Sequence, residues 1–424
     1  MSSYRSKVRY LLGLILVAIP WLLATILPVS GAEPIKIGII DTYSGAATAF
    51  THPALVGWRM VVNDFNARGG LNGRNIELVT FDDKFSPEKA LEGARELIES
   101  RKVDFLAGFA RSECALAASQ FAKQSKKILI VHIARSPLIA REYGHRYVFH
   151  AVAPSDTIGR ASGRYASYKK YRRWYIIGED SEFGREMSGS FWKELRQRLP
   201  DAEKLGEVWV SPRDKEYLPY IDAIKKAQPT AVFVCLGTTG MIPFTRQAKS
   251  AGLFEKERVF LSGLADPVFP FVLEDEMPTV NAYGSGGFLW YWPQTKEVKQ
   301  FVSQYNETAK QELGKKILPP GFTAFDGYTA AKFITEAILK AASTDTEDVV
   351  NALEGLVVQT PTGSITMRAC DHQAAGKINW GQIRVIKGLP LPGLLAPQYL
   401  SLAEFLPSCE EVMAVRKKAE ERRR

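Results

Sequence analysis

The sequence predicts an α/β protein of two similar halves, each a parallel sheet covered by helices on both faces. Three observations predict it. Short β-branched runs alternate with helix-period segments from residue 35 onward. The alternation restarts at Ser155 with a second series of similar size. Strand candidates such as 230–236 are continuous apolar runs, which suits strands buried on both faces. With 424 residues, 46% of them hydrophobic, the chain can bury more than one core.

Taken in order, 35–40 is a β-branched strand. Helix 53–67 carries Val56, Met60 and Phe65 on one face and stops at Gly69-Gly70. After the Asn72-Gly73 turn comes strand 76–81, ended by Asp82-Asp83, which we expect in a solvated turn. Helix 87–101 opens on Pro87. Strand 103–109, helix 112–124, strand 128–133 and a short strand at 147–151 complete the first series. The second runs helix 155–168, strand 174–178, helix 183–198, strand 208–210, helix 217–227, strand 230–236, helix 240–251 and strand 259–262. Helices 295–313, 323–341 and 346–356 have no matching strands and should pack back onto the two halves.

The ends are distinct from this body. Arg5, Lys7 and Arg9 precede an almost wholly apolar stretch, 10–29, and Ser30-Gly31-Ala32 supplies small residues. That is the layout of a secretory signal peptide, 1–32, with cleavage expected after Ala32. The stretch is long enough to span a bilayer, so an uncleaved anchor is the alternative. Most of the +9 formal charge sits in this segment and in the tail, where six bases from Arg416 to Arg424 face only Glu420 and Glu421. The body is near neutral and has no basic stripe with interleaved aromatics, which argues against nucleic-acid binding. The spacing of Cys114, Cys235, Cys370 and Cys409 fits no zinc site. Cys235 reads as a buried thiol. Cys370 and Cys409 bracket a loop-rich terminal region and are candidates for a disulfide in an oxidising compartment.

Open parallel sheets bind ligands beyond the carboxyl ends of their strands. Two such halves facing each other would hold a solute in the cleft between them. The turns at 42–46, 110–114, 134–136, 180–184, 237–240 and 263–266 are rich in Gly, Ser and Thr, suited to a small polar ligand. Arg111 and Arg135 lie within two of these turns; one pointing into the cleft would offer a bidentate partner for a carboxylate, and a solvated surface arginine is the alternative. Ser112 opens a helix whose N-terminal N–H groups favour an anion. Catalysis has no positive support: the five histidines show no metal-ligand spacing, and there is no Gly-x-Ser-x-Gly elbow or phosphate-binding loop.

The run from Ile35 to Gly45, the segment from Asn63 to Arg74 and Asp82-Asp83 resemble the opening of the leucine/isoleucine/valine-binding proteins, the periplasmic solute receptors of ABC importers. Gly184 after Ser181-Glu182-Phe183, Arg246-Gln247-Ala248 before Gly252-Leu253, Thr362-Gly363 and the run from Arg368 to Gln373 are similar in place. The resemblance spans roughly 33–382. It implies two Rossmann-like lobes joined by a three-strand hinge, the type I periplasmic binding protein fold, with crossings near 152–154, 284–287 and 357–359. The lobes would then be 33–152 plus 287–357 and 153–284 plus 358–400, followed by a C-terminal extension with a basic tail, 401–424.

The resemblance also implies a site. Ser112 would hold the ligand carboxylate, with Ala134 and Ser136 beside it. Phe50 would contact the ligand from the first loop. Phe183 would cover it from the second lobe, in place of the usual Tyr, and Thr238 would lie nearby. The family's acid for an α-ammonium falls near Leu264, so the nearest acid is Asp266, a departure that weakens the case for an α-amino acid. The function implied is an exported, non-enzymatic, monomeric receptor without a cofactor. It would bind a small carboxylate-bearing solute, a branched-chain or related amino acid first and an aromatic or aliphatic acid or amide next, and deliver it to a membrane permease. A ligand sensor in a signalling system is the alternative.

Overall fold

The structure, a computed structural model, describes residues 33–314 and 318–423. The expected signal peptide, 1–32, lies outside the described residues. The first series forms β1 (Ile35–Asp41), α1 (Thr48–Ala67), β2 (Ile76–Asp82), α2 (Pro87–Arg95), β3 (Phe105–Gly108), α3 (Ser112–Gln124), β4 (Leu129–Val131) and β5 (Val148–His150). Its sheet has the order β2-β1-β3-β4-β5, all parallel. Neighbouring strand residues point to opposite faces, so β1 feeds two cores. Ile35, Ile37 and Ile39 join the core that includes α1, and Ile40 joins the one with α2 and α3. Helix α1 begins upstream of the expected start and carries Pro53 inside it, giving up one helical hydrogen bond. Asp83 is not solvated: it is fully buried and accepts from the Thr42 hydroxyl and Phe85 N–H.

The second series forms α4 (Ser155–Ser167), β6 (Arg173–Glu179), α5 (Glu182–Arg198), β7 (Glu203–Val210), α6 (Leu218–Ala227), β8 (Ala231–Cys235), α7 (Thr238–Ser250), α8 (Leu253–Lys256), β9 (Arg258–Leu261), α9 (Val268–Leu273) and β10 (Ala282–Gly286). Strand β8 shows why its run is continuous: Val232 and Val234 enter one core, while Ala231, Phe233 and Cys235 enter the other. Cys114 and Cys235 are buried free thiols.

After β10 come α10 (Lys296–Leu313), α11 (Phe322–Ala341) and α12 (Thr346–Leu353). Rather than dividing between the lobes, all three contribute to the first lobe's core. Helices α1 and α11 cross at reciprocal glycines. A Cβ on Gly57 would meet Ala324 O at 2.2 Å, and one on Gly327 would meet Ala54 O at 2.2 Å. Only glycine permits that approach.

The final segment departs most from expectation. The hairpin β11 (Val357–Thr360) and β12 (Gly363–Thr366) precedes β13 (Lys377–Arg384) and β14 (Gly393–Ser401). The last two pair antiparallel at the β10 edge, so the second sheet is mixed, in the order β14-β13-β10-β9-β8-β6-β7. The α/β architecture with open sheets holds. The chain passes between the sheets after β5 and after β10. The third differs. Val358, Ile365, Met367 and Ala374 pack in the first lobe's core, and Ala375 and Ile378 in the second's, so the crossing is at 374–375, not 357–359. His150 pairs there with the segment 372–374. The tail is helical, α13 (Cys409–Arg423), and Cys409 is disulfide-bonded to Cys370 with Cα atoms 5.9 Å apart.

Candidate ligand cleft

The carboxyl ends of the strands in both sheets open onto one cleft of about 990 Å³. In the first lobe, the turn after β1 supplies Ala46 and Ala47, and the first turn of α1 supplies Phe50. The turn after β2 supplies Phe85, that after β3 supplies residues 110–113, and that after β4 supplies Ile133 and Arg135. In the second lobe, the wall is built from Glu179 and residues 181–183 after β6, 211–215 after β7, Gly237 and Thr239 after β8, and Ser262 and Gly263 after β9. Helix α11 contributes Phe322, Phe325 and Asp326.

Backbone conformation shapes the first-lobe wall. Phe109 has φ 75°, a left-handed conformation that is costly for a bulky residue. It is pinned there by hydrogen bonds from its own N–H to Ile40 O and from Ala134 N–H to its carbonyl. The chain then turns so that Ser112 begins α3. The Ser136 N–H donates to Ser112 Oγ at 3.2 Å, and the Ser136 hydroxyl accepts from Leu138 N–H. This corner brings together two expected site residues. Ser136 itself is fully buried, and neither it nor Ala134 is among the residues that line the cleft. The Ala134 carbonyl instead faces His150 Nε2 at 2.7 Å.

Both arginines line the cleft, but each has partners. Arg111 pairs with Glu113 at 3.0 Å, donates to Phe85 O and lies over the Phe85 ring. Arg135 pairs with Asp326 at 2.5 Å, donates to Ala153 O and lies over Phe322. Burial pushes the Asp326 carboxyl up to about 6, against the pull of Arg135. Phe50 reaches across the cleft, its ring centroid 6.2 Å from both Phe269 of the second lobe and Phe322. Phe183 lines the second-lobe wall. Thr238 opens α7, and its side chain lies outside the described residues.

Asp266 is elsewhere. It is 2% exposed and lies behind the wall, where Oδ1 accepts from Val268 N–H and Oδ2 from Phe322 N–H. Burial pushes its carboxyl up to about 6. Its sequence neighbourhood gave no sign of the contact with Phe322, which is remote in the chain. His132 is also not a cleft residue. It is fully buried, with Nδ1 accepting from Trp58 Nε1–H at 2.7 Å. An indole can only donate, so the ring's Nε2–H points to Asp41, 2.7 Å away.

Sequence reasoning missed Phe85, Phe269, Phe322, Phe325, Asp326 and Glu182. Glu182 is the first residue of α5, in the wall beside Phe183. Both its carboxyl oxygens are shut off from solvent and meet hydrogen-bond geometry with no protein group. Burial pushes its carboxyl up to about 7, and the nearby Ser136 hydroxyl only partly offsets this.

A family model described as "Periplasmic binding protein" matches residues 34–388. The leucine-, isoleucine-, valine-, threonine- and alanine-binding protein of Pseudomonas aeruginosa is 23% identical over 341 residues, 79% of this chain and 86% of its own. Among solved structures, a solute binding protein of an ABC transporter from Rhodopseudomonas palustris HaA2, in complex with p-hydroxybenzoic acid, superposes with TM-score 0.78 at 18% identity, covering 88% of this chain and 98% of that one. An amino acid ABC transporter substrate-binding protein from Pseudomonas fluorescens Pf-5 has TM-score 0.76 at 20% identity, covering 90% and 99%. Two open sheets facing one cleft, and a family match that runs through both, give the same answer: this chain belongs to the periplasmic binding protein family, among the type I members that include the Leu/Ile/Val-binding proteins.

Proposed function

We propose that the protein is the extracytoplasmic solute receptor of an ABC importer, a periplasmic monomer that closes its lobes on a small carboxylate-bearing solute and passes it unchanged to a membrane permease. The observation that carries this reading is the shape of the cleft: strand ends from both sheets face one space, so a ligand held from both sides favours the closed arrangement. The carboxylate would sit at the Ser112–Ser136 corner, where the N-terminal N–H groups of α3 favour an anion.

The apolar part of the cleft favours an aromatic acid. Phe50, Phe85, Phe183, Phe269, Phe322 and Phe325 all line it. Asp266, the acid nearest in sequence to the family's position for an α-ammonium, is held behind the wall. A solute receptor solved with p-hydroxybenzoic acid shares the fold. The second reading, a branched-chain amino acid, has in its favour the printed specificity of the Pseudomonas aeruginosa relative.

A thermal-shift screen of benzoates, aliphatic acids, branched-chain amino acids and amides tests both readings, because a solute that binds only the native state raises the melting temperature. A benzoate hit without an amino-acid hit supports the first reading. In Ser112→Ala we expect the hit's affinity to fall by about five- to thirty-fold, the range of one or two lost hydrogen bonds. Unchanged affinity by calorimetry would remove Ser112 from the site.

A further inference from the structure

The cleft wall holds five carboxylates, and four of them are satisfied. Glu113 pairs with Arg111 and Asp326 with Arg135. Glu179 accepts from Gly237 N–H, and Asp214 from the Tyr220 hydroxyl. Glu182 alone has both oxygens buried without a well-formed hydrogen bond among the described residues, the Ser136 hydroxyl being the group that lies near it. A charge left in that condition is costly, and the usual relief is to neutralise the group.

The surroundings point the same way. Glu186, one turn along α5, Glu113 of α3 across the cleft and Asp156 of α4 all disfavour a negative charge at Glu182. The cations nearby are already engaged, Arg141 by Asp156 at 2.8 Å and Arg111 by Glu113. Ser136, the hydroxyl that most favours the charged form, belongs to the corner assigned above to a ligand carboxylate. A second anion arriving there would add a further repulsion to an ionised Glu182. A neutral Glu182 would instead offer an O–H donor.

We propose that Glu182 sets the charge class of the solute: the cleft closes on an anionic head group with Glu182 as the neutral acid, so capture of the solute takes up a proton from the solvent at Glu182. The proposal rests on the reading of the cleft as a carboxylate site. It has a sign that distinguishes ligands. A carboxylate without an ammonium group is accepted with proton uptake. A solute bearing an ammonium would pair with ionised Glu182 and bind with proton release, the opposite dependence on pH.

The experiment is calorimetry of the mature protein with benzoate and with L-leucine, at about pH 6 and about pH 8, in two buffers of different ionisation enthalpy; both probes keep their charge across that range. The proposal predicts that benzoate binds with uptake approaching one proton at alkaline pH. Its affinity should then fall by up to about tenfold per pH unit above the titration of Glu182. In Glu182→Gln the amide supplies a neutral donor, so benzoate should still bind but without the pH slope or the proton uptake. The wild-type slope and proton count do not depend on the variant folding. Benzoate binding that is independent of pH, an equal slope in Glu182→Gln, or leucine binding with proton release where benzoate does not bind at either pH would each overturn the proposal while leaving the receptor reading intact. Failure of every solute in the screen to bind at either pH would overturn the receptor reading and this proposal with it.

Discussion

A buried carboxylate can position backbone as well as bind a ligand, and Asp266 shows the first role. Its two oxygens tie the start of α9 to the start of α11, elements far apart in sequence. Removing it in Asp266→Ala would leave two N–H groups without their acceptor. We predict a loss of about 3 kcal/mol in unfolding free energy, measured by denaturant titration, from hydrogen bonds to a charged acceptor. A variant as stable as wild type would show that water replaces the carboxylate. His145 gives a pH prediction. Tyr147 N–H donates to its Nδ1, and Nε2 lies against Ser119, so the ring fits as the neutral tautomer. Burial, then Lys123, lower its pKa from 6.5 to about 4, and burial does the same for His150. A folded pKa below the unfolded one means stability that is present above about 6.5 and lost as pH falls toward 4. Histidine proton NMR should show both rings neutral at pH 5; a midpoint near the ordinary histidine value would contradict the burial argument.

At the scale of elements, the tail is the feature that most changes the expected architecture. Leu402 and Phe405 pack in the second lobe's core, and Arg160 donates to Phe405 O. Past the Cys370–Cys409 disulfide, Arg416 of α13 donates to Ala140 O and Asp371 O, and Arg423 lies over the Tyr143 ring. The basic tail is therefore docked against the turn that follows β4, beside the third crossing. A disulfide across 39 positions restricts the unfolded chain by about 4 kcal/mol in the chain-entropy view. Cys370→Ser with Cys409→Ser should lower stability by a similar or smaller amount, read as the denaturant midpoint. No shift would mean that packing and the Arg416 contacts hold α13 unaided.

The same elements show what could be read from the chain. Helix α3 was placed at its observed bounds because Ser112-Glu113 opens it and alanines recur on its buried face. Strand β7 was read only at 208–210, since its first residues are half exposed on the sheet edge and carry Glu203, Lys204 and Glu207. Strands β13 and β14 were missed because β14 is a mostly exposed edge whose existence depends on pairing across a long connection. Asp326 and Glu182 were missed for a related reason. Glu182 opens α5 and Asp326 lies near the start of α11, and the helical period gives no sign of the Arg135 partner that Asp326 finds after β4 or of the buried setting of Glu182.

At the scale of the molecule, the chain order alone placed the turns that line the cleft, because parallel strands must present their carboxyl ends to the same side. What it did not give was which of those turns reach the space and which stand behind it, as Ala134 and Asp266 do. In the proposed function, closure would bend the chain at the crossings after β5, after β10 and at 374–375, where it passes from one core to the other. Phe50 meeting Phe269 across the cleft is a contact that such rotation would make or break. The most direct test of the account is small-angle scattering of the protein with and without a solute found by thermal shift, with the solute recovered afterwards and weighed by mass spectrometry. We predict a smaller radius of gyration with the solute present and a solute of unchanged mass; an unchanged radius at saturation, or a chemically altered solute, would contradict it.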